Sequence, residues 1–331
     1  MSTAESYASS AIIAGPILRR LEPSRLLIWL VATERLPMEL TLQRAGADQV
    51  MPIEPDGPAC RVLAVGARAF VHLLDVRLAE PLPVDTLIEY DLAWRAGGEQ
   101  HTLASALPHL LHPGRTRPSL MIASSNRTLL HGSCRKPHYP CGDGLVRADA
   151  WLAERLDQPD QRPAWLIMSG DQVYVDDVAG PMLRAVHLLV ERLGLFDEKL
   201  EGATVDDSQS LYRSEHCYYR REELLPDIQL NMPLRERFFG GAKKPVFTSA
   251  HAHNHLMTFG EVLAMYLLSW SPQPWRLIDL QAPELSPEQA ANYAQEKVAI
   301  DAFVQGLPQS ARVMAHLPSL MIFDDNPSVA I

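Results

Sequence analysis

The chain has 331 residues and a mass of 36.9 kDa, more than one typical domain and enough for two. Hydrophobic residues at 47% and charged residues at 21% are ordinary globular proportions and exclude a disordered chain. A formal charge of −10 argues against nucleic acid or an anionic membrane as the main partner, and 4 cysteines are too few for a disulfide scaffold.

In chain order, Arg19-Arg20 stands ahead of a short apolar run, 26–32, as in a twin-arginine export signal. Glu22 and Pro23 break the approach, and Thr33-Glu34-Arg35 follows where a small-residue cleavage site belongs. No stretch reaches the ~20 apolar residues of a spanning helix. The expectation is a cytoplasmic protein without membrane contact.

Residues 38–43 and 88–95 alternate apolar and polar side chains with period two, the mark of a half-buried strand. The runs 26–32, 61–65 and 69–76 are further short strands, punctuated by Pro, Gly and acidic residues. Together they predict an N-terminal β-sandwich of immunoglobulin or fibronectin type over 10–115, with 107–118 as linker. Nothing in this part looks chemical.

From 119 to 331 strands alternate with amphipathic helices, which predicts an α/β layer. Strands are expected at 120–123, 129–130, 164–168 and 320–323, and the continuous apolar run 164–168 suits a strand buried on both faces. Helices are expected at 144–156, 182–195 and 256–270, and at Ser286-Pro287-Glu288-Gln289, where a Ser cap, Pro at the first helical position and Gln form a capping box.

Chemistry concentrates where strands end. One strand runs into Ser133-Cys134, a second into Ser169-Gly170-Asp171-Gln172-Val173-Tyr174, and a third into Phe323-Asp324-Asp325. Ligands of α/β sheets bind beyond the carboxyl ends of the strands. Thiolate, carboxylate and phenolate donors suit Fe, Mn, Zn or, with more carboxylates, Ca.

The order Ser133-Cys134-Arg135, Gly170-Asp171-x-x-Tyr174, Phe323-Asp324-Asp325 resembles the PhoD-like (alkaline phosphatase D-like) metallophosphatases of the calcineurin-like metallophosphoesterase superfamily. Gly15-Pro16-Ile17-Leu18-Arg19-Arg20 also looks like that family's opening. The resemblance implies a β-sandwich followed, over 119–331, by the N-terminal part of the metallophosphatase domain. It implies Cys134, Asp171 and Tyr174 as ligands of trivalent iron, Fe(III), with Asp171 bridging to a second divalent metal (Ca, Mn or Zn). Asp325 would be a ligand of that second metal, Asp171 and Asp325 would be the catalytic carboxylates, and Arg135 would meet the substrate phosphate. The metal pair would orient and charge-neutralise a small phosphoester and generate a hydroxide nucleophile.

The family continues Asp-Asp-His, whereas this chain has Asn326 and then Pro327-Ser328-Val329-Ala330-Ile331. Two metals need about eight to ten donors, so an incomplete domain with weak or no activity is expected, its missing C-terminal half being a candidate partner. The rivals are a non-catalytic interaction protein and a hydrolase using Ser133 or Cys134 with a nearby histidine as base. Blander roles also stand. Cys134 would be a small buried apolar group, Tyr174 a packing residue, Asp324 and Asp325 solvated turn residues, and Arg135 a surface charge. A zinc site from His131, Cys134, His138 and Cys141 has the wrong spacing for a compact knuckle, and His251, His253 and His255 read as loop packing ahead of a helix.

Overall fold

The computed structural model describes residues 11–44, 46–125, 128–224 and 252–322. Eight strands open the chain: β1 Ile12–Glu22, β2 Arg25–Ala32, β3 Met38–Arg44, β4 Ala47–Ile53, β5 Cys60–Gly66, β6 Ala69–Arg77, β7 Ile88–Ala96 and β8 Glu99–Thr102. They form two antiparallel sheets, β1-β2-β6-β5 and β4-β3-β7-β8. Alternation dictates the packing: Met38, Leu40 and Leu42 pair with Trp94, Leu92 and Tyr90 and point inward with them. Leu26, Ile28, Leu30, Leu74 and Val76 meet them from the other sheet in one core. The sandwich expected from the alternating runs is therefore present, with β1, β4 and β8 added to the predicted strands.

The expected linker is instead structured. It follows directly on a short helix, α1 Leu103–Ala106, and holds a 3-10 turn at Pro108–Leu110. The strand predicted at 120–123 belongs to the sandwich: β9 Ser119–Leu120 pairs antiparallel with Ile88 and Glu89 of β7. Those two residues lie beyond the stretches of β7 that β3 and β8 occupy. Their backbone groups need partners, and 119–120 supplies them.

The remainder carries β10 Leu129–Gly132, α2 Gly144–Ala153, β11 Trp165–Met168, α3 Gly180–Leu193, α4 Ser208–Arg213, α5 Phe259–Trp270, α6 Pro287–His316 and β12 Ser319–Met321. The Ser286 capping box forms as predicted, with Ser286 Oγ accepting from Gln289 N. A parallel sheet of order β10-β11-β12 has one face, including Leu130, Leu166, Met168 and Met321, on a core of Leu145, Leu152, Trp270, Val313, Met314 and Leu317. The opposite face departs from expectation. Trp165 and Ile167 are only half-buried, and Leu129, Leu320 and Ile322 are 47%, 48% and 53% exposed. The run 164–168 is thus not fully buried on both sides; among the described residues the helices that meet the sheet gather on one of them.

Strand β1 joins the two parts. Ile12, Leu18 and Leu21 enter the sandwich core, Ile13 and Ala14 pack with α3 and α5, and Ile17 packs beneath the parallel sheet. Helix α6 completes the seam. Ala311 and Ala315 lie in the sandwich core, and the Tyr90 hydroxyl donates to Ala315 O at 2.7 Å. Among the described residues no helix is long and apolar enough to cross a membrane. Phe323, Asp324 and Asp325 lie outside the described residues.

Candidate functional site

In the parallel sheet Gly132 stands opposite Met168, and Met168 opposite Met321. The ladder extends past the strand ends: Ser169 N donates to Gly132 O at 3.0 Å and Ile322 N to Met168 O at 3.2 Å. Parallel pairing therefore brings the Ser133-Cys134 turn, the Ser169-Gly170-Asp171 turn and Ile322 to one edge. That edge is the carboxyl end, where α/β sheets bind ligands.

Cys134, Asp171 and Tyr174 converge there. The Tyr174 hydroxyl is hydrogen-bonded to the side chains of both Cys134 and Asp171. Burial, the charges of Cys134 and Asp171 and those bonds hold the phenol proton well above the usual tyrosine range. Cys134 is exposed, while Asp171 and Tyr174 are half-buried, so the cluster faces solvent. Cys134 adopts φ +48°, a left-handed backbone uncommon outside glycine. Gly170 makes the close approach feasible: a Cβ there would lie 2.6 Å from Cys134 Sγ and 2.8 Å from Cys134 N and would collide with Ser133 Oγ. Arg135 N donates to Asp171 O at 3.3 Å, tying the two turns together.

Arg135 departs from both sequence expectations, the phosphate contact and the surface charge. It is buried, with Nη2 2.6 Å from Asp143 Oδ2 and 3.0 Å from Ser310 Oγ, and Nη1 donating to Ser269 O. Its guanidinium stacks 4.8 Å from the Trp270 ring centre and 4.5 Å from that of Phe303. A buried acid, a hydroxyl, a backbone carbonyl and two aromatic faces satisfy its guanidinium inside.

Sequence reasoning missed two partners at this edge. Lys136 pairs with Asp177 and places its ammonium 5.8 Å from the Tyr174 ring centre. His138 Nε2 lies 2.9 Å from the other oxygen of Asp177. Burial pushes the Asp177 carboxyl up, but His138 and Lys136 outweigh it and hold the group below the usual carboxylate range. The signal was the acidic pair Asp176-Asp177 just past Tyr174. On the neighbouring turn His131 Nε2 lies 2.6 Å from Ser169 Oγ.

With His131 on Ser169 and His138 on Asp177, the four candidate zinc residues do not gather. Among the described residues no group of three or more His, Cys, Asp or Glu side chains is arranged to hold a metal; the cluster at this edge has two such residues plus a phenol. His251 lies outside the described residues. His253 packs on Tyr219 with ring centres 5.6 Å apart, and Asn254 Oδ1 accepts from Tyr219 N at 2.7 Å, which is loop packing.

No family model matches the chain, and no curated protein matches it either. Among solved structures, a bromine derivative of BhCBM56 is similar over 28% of this chain and 91% of that one, at 14% identity and a TM-score of 0.18. The type III pullulan hydrolase from Thermococcus kodakarensis is similar over 62% of this chain and 35% of its own, at 8% identity and a TM-score of 0.20. Both likenesses are too slight to carry a fold or an activity across.

Proposed function

We propose that this edge is a metal-dependent phosphoester hydrolase site of the PhoD-like kind, in the N-terminal part of a calcineurin-like metallophosphoesterase domain. The observation that supports it is the meeting of Cys134, Asp171 and Tyr174, residues from two turns, through the Tyr174 hydroxyl.

The donors fit the group the resemblance implies. Thiolate, carboxylate and phenolate together suit Fe(III). The Tyr174 phenol proton is the one a cation would displace. Cys134, Asp171 and Tyr174 would hold the iron, and Asp171 with Asp325 would hold the second divalent metal. The metals would supply charge neutralisation for the phosphoryl oxygens of a small phosphoester. The chain's own contribution is placement. Gly170 keeps the Cys134 and Asp171 turns in contact, and the Arg135 amide braces the Asp171 backbone.

Reconstitution with Fe(III) tests this. A visible phenolate-to-iron absorption is expected, lost in Tyr174→Phe. Hydrolysis of bis-p-nitrophenyl phosphate is expected to be slow and to disappear in Asp171→Asn. A colourless protein whose turnover Asp171→Asn leaves unchanged would refute the proposal.

A further inference from the structure

We propose that Ser169 and His131 form a nucleophile–base pair that hydrolyses carboxylic esters with apolar acyl groups, a site separate from the metal cluster and independent of the phosphoester proposal. Ser169 Oγ lies 2.6 Å from His131 Nε2, and both side chains are exposed. A hydroxyl within hydrogen-bond reach of an imidazole is the arrangement that activates serine. The two residues come from adjacent parallel strands, so the ladder itself sets their separation: His131 stands opposite Ile167, and Ser169 follows Ile167 on the same face. The serine is anchored through Ser169 N to Gly132 O at 3.0 Å. His131 thus serves Ser169, while Ser133 Oγ lies 3.1 Å from Cys134 Sγ.

The substrate class follows from that face. Leu129, Trp165, Ile167, Leu320 and Ile322 share it with the pair, and three of them are about half exposed at 47%, 48% and 53%. A parallel sheet normally has both faces covered. Among the described residues an open apolar strip leads up to the hydroxyl, and it would bind a hydrocarbon chain while the carbonyl lies at Ser169.

The chemistry balances without a further reactant. Ser169 Oγ attacks the acyl carbon as its proton passes to His131 Nε2. The bond to the alcohol oxygen breaks, and that oxygen takes the proton from Nε2. Water then attacks the acyl-serine, giving its proton to Nε2, and the bond to Ser169 breaks as the serine oxygen takes the proton back. Ester and water become acid and alcohol.

The full chain, kept in EDTA, would be treated with a fluorophosphonate probe and with p-nitrophenyl acetate, butyrate and octanoate. Expected are a probe adduct mapped by peptide mass to Ser169, a burst of nitrophenol, and a rate that rises with acyl length. Ser169→Ala should abolish the adduct, His131→Gln should slow it by about a hundredfold, and Leu320→Ser should flatten the length preference. Asp171→Asn should leave labelling intact, which separates this site from the phosphoesterase. Circular dichroism identifies any variant that fails to fold, and for such a variant Ser169→Cys with iodoacetamide replaces it, His131 again being required for fast alkylation. No adduct at Ser169, equal labelling in His131→Gln, or loss of labelling in Asp171→Asn would each overturn the separate pair. A rate independent of acyl length would overturn the apolar-acyl assignment.

Discussion

Arg135 Nη2 and Asp143 Oδ2 lie 2.6 Å apart in a buried ion pair directly behind the turn that presents Cys134. Asp143 also caps α2, accepting from Leu145 N at 2.9 Å. Its burial pushes the carboxyl up, yet the charge and hydrogen bonds of Arg135 prevail and hold it below the usual range. Removing one partner of such a pair strands the other, so Arg135→Met is expected to lower stability by ~3–5 kcal/mol. Pairing it with Asp143→Ser, which keeps a cap, should restore much of that. Urea midpoints of the two variants decide the matter.

Glu261 serves a similar knot in α5. Its carboxylate accepts from Met257 N at 2.7 Å and Thr258 N at 3.1 Å, and meets Arg221 at 2.8 Å and His187 Nε2 at 2.7 Å. Both Glu261 and Arg221 are fully buried. Burial raises the carboxyl, but Arg221 and His187 hold it far below the ordinary value. A depressed carboxylate contributes stability above its unfolded value that is lost as pH falls. Glu261→Gln is expected to cost ~3–5 kcal/mol at neutral pH and, with the ionised group gone, to lose less on acidification than the parent. Chemical denaturation at several pH values measures both.

The seam between sandwich and α6 should be acid-sensitive at milder pH. His112 and His316 meet edge to face with ring centres 4.7 Å apart, and His316 Nε2 lies 3.0 Å from Leu110 O. Burial, helped by Arg312, Arg162 and Arg115 and opposed by Asp149, pushes His112 down to about 4. Burial, with Arg162 and His112, also holds His316 well below the imidazole range. The unfolded chain would bind these protons near the ordinary value of about 6.5. The folded state binds fewer in between, so the stability they contribute is full above about 6.5 and declines towards 4. Calorimetry should show the Tm falling across that window, with a shallower slope in His112→Gln.

Gly170→Ala is expected to separate the Cys134 and Asp171 turns. The added methyl would sit 2.6 Å from Cys134 Sγ, so one turn must move. Fe(III) titration should show at least about a tenfold weaker association and a reduced visible band, since outer supports of a metal site are worth that much. Far-ultraviolet circular dichroism should be unchanged, because the strain is local to the sheet edge.

Part of this was legible from residue order. Period-two alternation at 38–43 and 88–95 marks strands because side chains alternate faces, and the inward residues are the ones observed in the core. Ser286-Pro287-Glu288-Gln289 marks a helix start because its bonds are local. Ser133-Cys134 and Gly170-Asp171-x-x-Tyr174 were placed at strand ends, and the strands are parallel neighbours.

Other features depended on contacts between distant segments. Arg135 looked like a surface or phosphate-facing residue, and only the arrival of Asp143, Trp270, Phe303 and Ser310 turned it inward. Ser119 and Leu120 looked like the start of the α/β layer until the open backbone of Ile88 and Glu89 captured them.

The amino-acid sequence by itself determined the alternating strands of the sandwich, the cap at Ser286, and which residue types stand at the strand ends, since all of these follow from near-neighbour periodicity and hydrogen bonds. Only the tertiary structure decided that His131 meets Ser169, that Tyr174 joins Cys134 to Asp171, and that Leu129, Leu320 and Ile322 stay half exposed on one face of the parallel sheet. Periodicity says which side of a strand is apolar. Register and packing, which depend on segments far away in the chain, say what lies against it.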